Sequence, residues 1–307
     1  MRLVTYERDA AWRAGLLVEG NVVDLADAAT ESGLAEGLAN PWVSVRSVLE
    51  SVSAADLNVV QAQAMRQGVD GRVVPAEAVR WGPPIPDPDK IICIGLNYPR
   101  HVAEVGLKAP GFPEIFPKYR NALIGSNERI VPPARTTQLD YEGELAVVIG
   151  RRCKDVPQEE ALERVAGYMV FNDVSARDLQ LRGSQWLPGK SCDSFAPCGP
   201  ALVTVDEVQD LAQSHIVTRV NGDTVQKARI GDMTFSIAEI IAEVSTLMTL
   251  EVGDIIATGT PHGVGMSFDP PRWLQAGDEV AVEIDGVGRL VNTVAAVGGP
   301  QGEDERR

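Results

Sequence analysis

The chain has 307 residues, 44% of them hydrophobic, which is enough for a sizeable core and more than one small domain needs. It carries 43 acids against 28 bases, a formal net charge of -15. That sign argues against nucleic acid and against an anionic membrane surface as partners. The four cysteines, Cys93, Cys153, Cys192 and Cys198, have neither CxxC spacing nor a histidine cluster beside them, so free thiols are expected rather than zinc. No apolar stretch approaches the ~18–20 residues of a membrane span, and the first residues lack a secretory apolar run. A reducing cytoplasm is the expected setting.

In chain order, Leu16–Glu19 and Val22–Leu25 flank Gly20-Asn21 and predict a hairpin. The polar, alanine-rich stretch 26–68 predicts two or three short helices. Four prolines between Pro83 and Pro88 mark a connector, because proline continues neither a helix nor a central strand. The expected division is a small N-terminal domain, 1–82, a catalytic domain, 83–298, and a disordered tail, 299–307. Lys90–Gly95 reads as a buried strand. After it His101 and Glu104 stand three apart, so one helical turn places both on one face, as a base and the acid that orients it. An ordinary exposed histidine is the plainer alternative. Pro110, Gly111 and Pro113 then suit a mobile lid.

The centre of the sequence is Gln138-Leu139-Asp140-Tyr141-Glu142-Gly143-Glu144, running into the branched apolar strand Leu145–Ile149. Side chains alternate along a strand, so Glu142 and Glu144 face the same way. Two such charges repel unless a cation or a proton separates them; two solvated acids at a strand end are the alternative. Val165–Phe171 predicts a further buried strand, with Asp173 just past its end. Gly183 to Ser191 ends in Gly189-Lys190-Ser191, but five residues separate the two glycines where a phosphate-binding loop needs four, so nucleotide binding is rejected. Asn221-Gly222 and Asp285-Gly286 predict hairpin turns. Between them Ser236 and Glu239 form a capping box before a helix with the apolar stripe Ile237, Ile240, Ile241, Val244, Leu247 and Met248. Ile255–Ala257 leads into the glycine-rich Thr258–Gly265, a loop able to cradle an anion with its N–H groups. There is no internal repeat and no G-x-S-x-G serine elbow.

Glu142, Glu144 and Asp173, with no Cys or His beside them, make an all-oxygen set. Hard cations prefer oxygen, so Mg²⁺ or Mn²⁺ is expected and zinc is not. The ordered motifs Asn97-Tyr98-x-x-His101-x-x-Glu104, Asp140-Tyr141-Glu142-x-Glu144, Asn172-Asp173-x-x-x-Arg177-Asp178-x-Gln180, Gly189-Lys190-Ser191 and Thr258-Gly259-Thr260-Pro261 resemble the fumarylacetoacetate hydrolase superfamily over about residues 86–295. The N-terminal region is only loosely similar to an accessory domain seen in some members. The resemblance implies a mostly β chain with α+β elements, folded as the family's mixed β-sandwich roll and paired as a homodimer. It implies Glu142, Glu144 and Asp173 as metal ligands, Lys190 as an oxyanion-stabilising lysine, and Arg177, Gln180 and Thr260 as substrate contacts. His101 and Glu104 match the lid pair of acylpyruvate-hydrolysing and oxaloacetate-decarboxylating members.

The implied activity is hydrolysis of a C–C bond in a 2,4-dioxo acid of acylpyruvate or fumarylpyruvate type through a metal-bound pyruvate enolate, with oxaloacetate decarboxylation a close variant. The alternative is an isomerase or decarboxylase of a 2-hydroxyhepta-dienedioate-type intermediate in aromatic catabolism. A non-catalytic binding protein would not need His101, Glu104 and Lys190 together. The substrate's distal group is expected to meet Phe112–Tyr119, Gln185-Trp186 and a partner subunit.

Overall fold

The structure is a computed structural model, described for residues 1–34, 41–70 and 73–297. Its centre is the strand Gly143–Ile149, buried at every position. It lies between Val165–Asn172 on one side and Ile255–Ala257 on the other, both antiparallel to it. Alternate residues feed two apolar clusters: Ala146 and Val148 join one, Leu145, Val147 and Ile149 the other. A strand covered on both faces is apolar without alternation, which is why this run reads as one continuous hydrophobic block.

The large mixed sheet continues outward from this centre. Ile91–Gly95 pairs parallel with Ile255–Ala257, and Glu114–Lys118 pairs antiparallel with Ile91–Gly95. On the other flank Ala196–Thr204 follows Val165–Asn172. Beyond it come Arg2–Arg8, Ala11–Val18 and Asn21–Asp24. The N-terminal strands thus extend the sheet that holds the centre. A second sheet contains Asp223–Arg229, His215–Val220, Glu279–Ile284, Gly288–Val294 and the short Arg129–Ile130. Its Ile216, Val282, Ile284 and Leu290 pack in the same cluster as Leu145 and Val147. The chain is therefore sheet-rich and mixed, as a β-sandwich roll requires.

Strand direction decides where chemistry collects. The beginning of 143–149 lies at the edge where its two antiparallel neighbours end, and 91–95, parallel to 255–257, ends there too. Three strands deliver their following loops, and 143–149 its preceding residues, to one edge. Gly143 pairs with Asn172, so Asp173 comes next to Glu142, and its N–H donates to the Glu142 carbonyl at 2.8 Å.

Several local expectations shift. In the first hairpin Val18 pairs with Asn21, so the turn is Glu19-Gly20, with φ of 48° and 78°, rather than Gly20-Asn21. Leu25 leaves the strand because the Asp24 carboxylate caps a helix, Leu25–Glu31, accepting from Ala26 N and Asp27 N at 2.9 and 3.1 Å. The stretch 26–68 holds that helix, Val45–Ser51, and a longer one, Ala54–Asp70, of 17 residues. Val220 pairs with Asp223 across Asn221-Gly222, as expected, whereas Ile284 pairs with Gly288, making the other turn three residues. All four cysteines are free. The expected tail lies outside the described residues.

The helix Ile237–Leu247 buries Ile237, Ile240, Ile241 and Val244, and Met248 just past its end packs against the same cluster, whereas Leu247 is 59% exposed and falls off the expected apolar stripe. Its capping box is formed: Ser236 Oγ accepts from Glu239 N at 3.3 Å and Glu239 Oε2 accepts from Ser236 N at 2.8 Å. Ser236→Ala removes the acceptor of the Glu239 N–H and is expected to cost about 1 kcal/mol in a urea melt. No change in midpoint would mean that water replaces the cap.

Candidate active site

Glu142, Glu144 and Asp173 converge at the shared edge, each at most 5% exposed, with one oxygen from each within 4.8 Å of the others. The structure surrounds them with three buried cations. Lys190, on the one-turn helix Leu187–Lys190, donates to Glu142 Oε2 and Asp173 Oδ2, both at 2.7 Å. Arg177 Nη2 lies 2.7 Å from Glu142 Oε1, while its Nε donates to Asp140 Oδ2 at 2.9 Å and its Nη1 to Gln180 Oε1 at 3.0 Å. Lys118 Nζ lies 2.7 Å from Asp173 Oδ1, off hydrogen-bond alignment, and donates to the carbonyls of Val174, Lys190 and Phe195.

The two glutamates experience opposite fields. Burial raises the Glu142 pKa, but Lys190 and Arg177 outweigh it and hold the carboxyl well below the ordinary range. Burial, reinforced by Asp173 and Glu142, drives Glu144 well above it. The only hydrogen bond holding the Glu144 carboxylate, among the described residues, is from Gly259 N at 2.9 Å; no cationic side chain pairs with it. When all are ionised, Asp140, Glu142, Glu144 and Asp173 would supply four negative charges against three from Lys118, Lys190 and Arg177. An all-oxygen set with an uncompensated, buried carboxylate at its centre fits a hard divalent cation.

The expected pairing of His101 with Glu104 is formed. The helix Pro99–Glu104 begins with proline, which suits its first turn. His101 Nδ1 is 2.8 Å from Glu104 Oε1, and the Glu104 carboxylate accepts from Gly263 N at 3.1 and 2.9 Å through its two oxygens. An ionised Glu104 accepts the Nδ1 proton and leaves Nε2 as the acceptor. His101, Glu142, Glu144, Arg177, Gln180, Lys190 and Thr260 all line one cavity of about 200 Å³. Glu104 stands behind His101 and does not line it. Ile94, Leu96, Val105, Leu107, Phe116, Leu181, Trp186 and Met266 supply an apolar wall. Of the segments expected to meet a distal group, Phe116 and Trp186 are present, ring against ring at 5.3 Å, whereas Phe112 lines a separate groove beside the 237–247 helix.

The glycine-rich loop does bind anions through its N–H groups, but the anions are the chain's own carboxylates. Gly259 holds Glu144, Gly263 holds Glu104, and Gly265 and Met266 hold Asp140 at 2.7 and 3.1 Å. Gly263 must be glycine: its φ is 99°, and a Cβ there would stand 2.0 Å from the Val225 carbonyl. Thr260 lines the cavity, while its hydroxyl is engaged by the Gly143 carbonyl at 3.0 Å and by Gln226 at 2.8 Å.

Three site residues escape the sequence reading. Asp140 is visible only as part of a motif, with nothing to show that it joins the loop to Arg177. Lys118 ends the strand Glu114–Lys118, whose other end is also charged, so the sequence does not show that it is buried. Gln226 has no local signal at all.

The sequence profile of the family described as fumarylacetoacetate (FAA) hydrolase C-terminal matches residues 90–295, which contain every residue of the site. The mitochondrial oxaloacetate tautomerase Fahd2a of Rattus norvegicus is 44% identical over 223 residues, 72% of this chain and 71% of its own. The structure of 2-hydroxyhepta-2,4-diene-1,7-dioate isomerase from Mycobacterium marinum aligns at 32% identity with a TM-score of 0.71, covering 97% of this chain and 100% of its own. That of maleylpyruvate hydrolase from Sphingobium sp. SYK-6, in complex with manganese(II) ion and pyruvate, aligns at 30% identity with a TM-score of 0.76, over 97% and 100%. A tautomerase, an isomerase and a hydrolase thus share this architecture, and a manganese ion accompanies one of them. With two thirds of its length matched and the same fold throughout, this chain belongs to the fumarylacetoacetate hydrolase family.

Proposed function

We propose that the chain is a Mg²⁺- or Mn²⁺-dependent hydrolase of an acylpyruvate, cleaving the C3–C4 bond of a 2,4-dioxo acid. The observation that carries this reading is that His101, held from behind by Glu104, lines the same cavity as Glu142 and Glu144, whose carboxylates gather with that of Asp173. A cation held by those three carboxylates supplies Lewis-acid stabilisation of negative charge on a substrate oxygen. The rest falls to the protein. Arg177 and Gln180, with the Thr260 segment, hold the carboxylate end of the substrate. His101 Nε2 takes a proton from water, and the oxygen attacks C4. Two of the three Lys190 N–H bonds are directed at Glu142 and Asp173, and the third serves the C4 oxyanion. The C3–C4 bond breaks, its electron pair leaves with C3 as the enolate of pyruvate, and the proton held by His101 is returned to C3. Acylpyruvate and water become a carboxylic acid and pyruvate, with nothing oxidised or reduced.

The wall beyond the base is apolar, and Arg177 and Lys190, the cations that line the cavity, stand at its carboxylate-rich end. This favours a small apolar acyl group over a second carboxylate. A second reading is supported by the 44% identity to an oxaloacetate tautomerase: His101 would move a proton between C3 and the 2-oxo oxygen, making or breaking a C3–H bond while every C–C bond stays intact. An isomerase of a hydroxydienedioate remains the third.

Pyruvate release from acylpyruvates, oxaloacetate and a hydroxydienedioate, with and without EDTA, separates these. Metal-dependent pyruvate from acylpyruvates alone is expected. Enol-to-keto conversion of oxaloacetate without pyruvate would replace hydrolysis by tautomerisation. A spectral change on the dienedioate alone would select the isomerase.

A further inference from the structure

We infer that Gln226, on the Asp223–Arg229 strand of the second sheet, is a positioning residue that sets the geometry of Glu142 and Glu144. The inference rests on the reading of those two carboxylates as metal ligands and adds a residue that lies outside the cavity.

The ladder between 143–149 and 255–257 stops at Ala146. Past that point Thr258 N still reaches the Leu145 carbonyl, but Gly143 has no strand partner on this side for its N–H and its C=O. Buried backbone groups without a partner are costly, so something must replace the ladder. Gln226 does so. It is 1% exposed, and its Oε1 accepts from Gly143 N at 3.0 Å. Its Nε2 donates to Thr260 Oγ1 at 2.8 Å and to the Pro261 carbonyl at 2.7 Å. Thr260 Oγ1, oriented in this way, donates to the Gly143 carbonyl at 3.0 Å.

The Gly143 N–H belongs to the peptide joining Glu142 to Gly143, and its C=O to the peptide joining Gly143 to Glu144. One amide therefore holds both peptide planes between the two glutamates, the first directly and the second through Thr260. Gln226 uses its acceptor and both donors to do it, and an amide has no second way to satisfy all of them at once. The strand also sits flush against the second sheet: a Cβ on Gly143 would stand 2.1 Å from Thr218 Oγ1. A buried, fully bonded network of this kind restricts rotation of the peptide planes, and with it the direction in which the carboxylates leave the strand.

The test measures Mn²⁺ binding by the EPR signal of free Mn²⁺, with folding followed by circular dichroism. Gln226→Met keeps the length of the side chain and removes all three bonds; it is expected to raise the Mn²⁺ Kd by ~10–100-fold. Gln226→Glu, which as a buried acid still accepts from Gly143 and donates one bond, is expected to fall between Gln226→Met and the unmodified protein, and it serves if Gln226→Met does not fold. Asn292→Leu is the control for general loosening of the same sheet. Asn292 is also 1% exposed, and its amide donates to the carbonyls of Gly125 and Glu128, both at 2.9 Å. This variant should melt earlier yet bind Mn²⁺ like the unmodified protein. Undiminished Mn²⁺ affinity in folded Gln226 variants overturns the inference, and so does an equal loss in Asn292→Leu. Failure of the unmodified protein to bind Mn²⁺ overturns the metal reading itself, and is distinguished because no variant is needed to see it.

Discussion

Asp173→Ala is expected to abolish Mn²⁺ binding and pyruvate release together, the largest effect of any single substitution in the site. Asp173 is fully buried and, among the described residues, is the one carboxylate that faces both lysines, Lys118 at 2.7 Å through Oδ1 and Lys190 at 2.7 Å through Oδ2. Removing it takes away a metal ligand and leaves two buried ammonium groups short of a counter-charge. Breaking a buried pair in this way costs about 3–5 kcal/mol, because the remaining charge keeps its desolvation penalty. The variant should therefore melt earlier as well as lose the metal. Asp173→Asn keeps the shape and a carbonyl oxygen, so it separates the two effects: a smaller drop in melting temperature, with metal binding still lost. Binding is read by Mn²⁺ EPR and turnover by a coupled pyruvate assay. Full turnover of EDTA-treated Asp173→Ala would end the metal reading.

His101→Ala is expected to lower kcat for acylpyruvate hydrolysis by ~10²–10⁴-fold, the range that a positioned general base contributes. Mn²⁺ affinity should stay near that of the unmodified protein, since His101 is not among the carboxylates that gather within 4.8 Å. A base needed only in the transition state lowers kcat and kcat/KM alike. The same variant discriminates between reactions. Tautomerisation of oxaloacetate also requires proton transfer and should fall with hydrolysis. Loss of CO₂ from oxaloacetate leaves the electron pair behind without any proton being removed, so pyruvate that the unmodified protein released by that route would survive in the variant. Glu104→Gln keeps an acceptor for Gly263 N but weakens the preference for the Nδ1–H tautomer of His101, and should lose less than His101→Ala. Unchanged hydrolysis by His101→Ala would place the base elsewhere in the cavity.

Much of this architecture is legible along the chain because its causes are local. Leu145–Ile149, Val165–Phe171 and Ile255–Ala257 are largely hydrophobic runs, and each lies in a largely buried strand. Alternation along a strand is enough to put Glu142 and Glu144 together, and helical spacing is enough to join His101 to Glu104. Turns are less legible: Glu19-Gly20 and Gly20-Asn21 are equally good dipeptides locally, and the pairing of Val18 with Asn21 chooses between them.

The sequence by itself determined the carboxylate set, the His–Glu pair, the strands that carry them and the family pattern, since each depends on residues close together or on motifs in a fixed order. Tertiary structure alone decided which charges meet. Lys118, Asp140 and Gln226 reach the site from 55, 33 and 53 residues away from Asp173 in sequence. What brings them there is the direction and register of strands in a rolled sheet and the packing of a second sheet upon it. Register is a property of pairs of strands, and a side chain's partner across a sheet leaves no trace in its own neighbours along the chain.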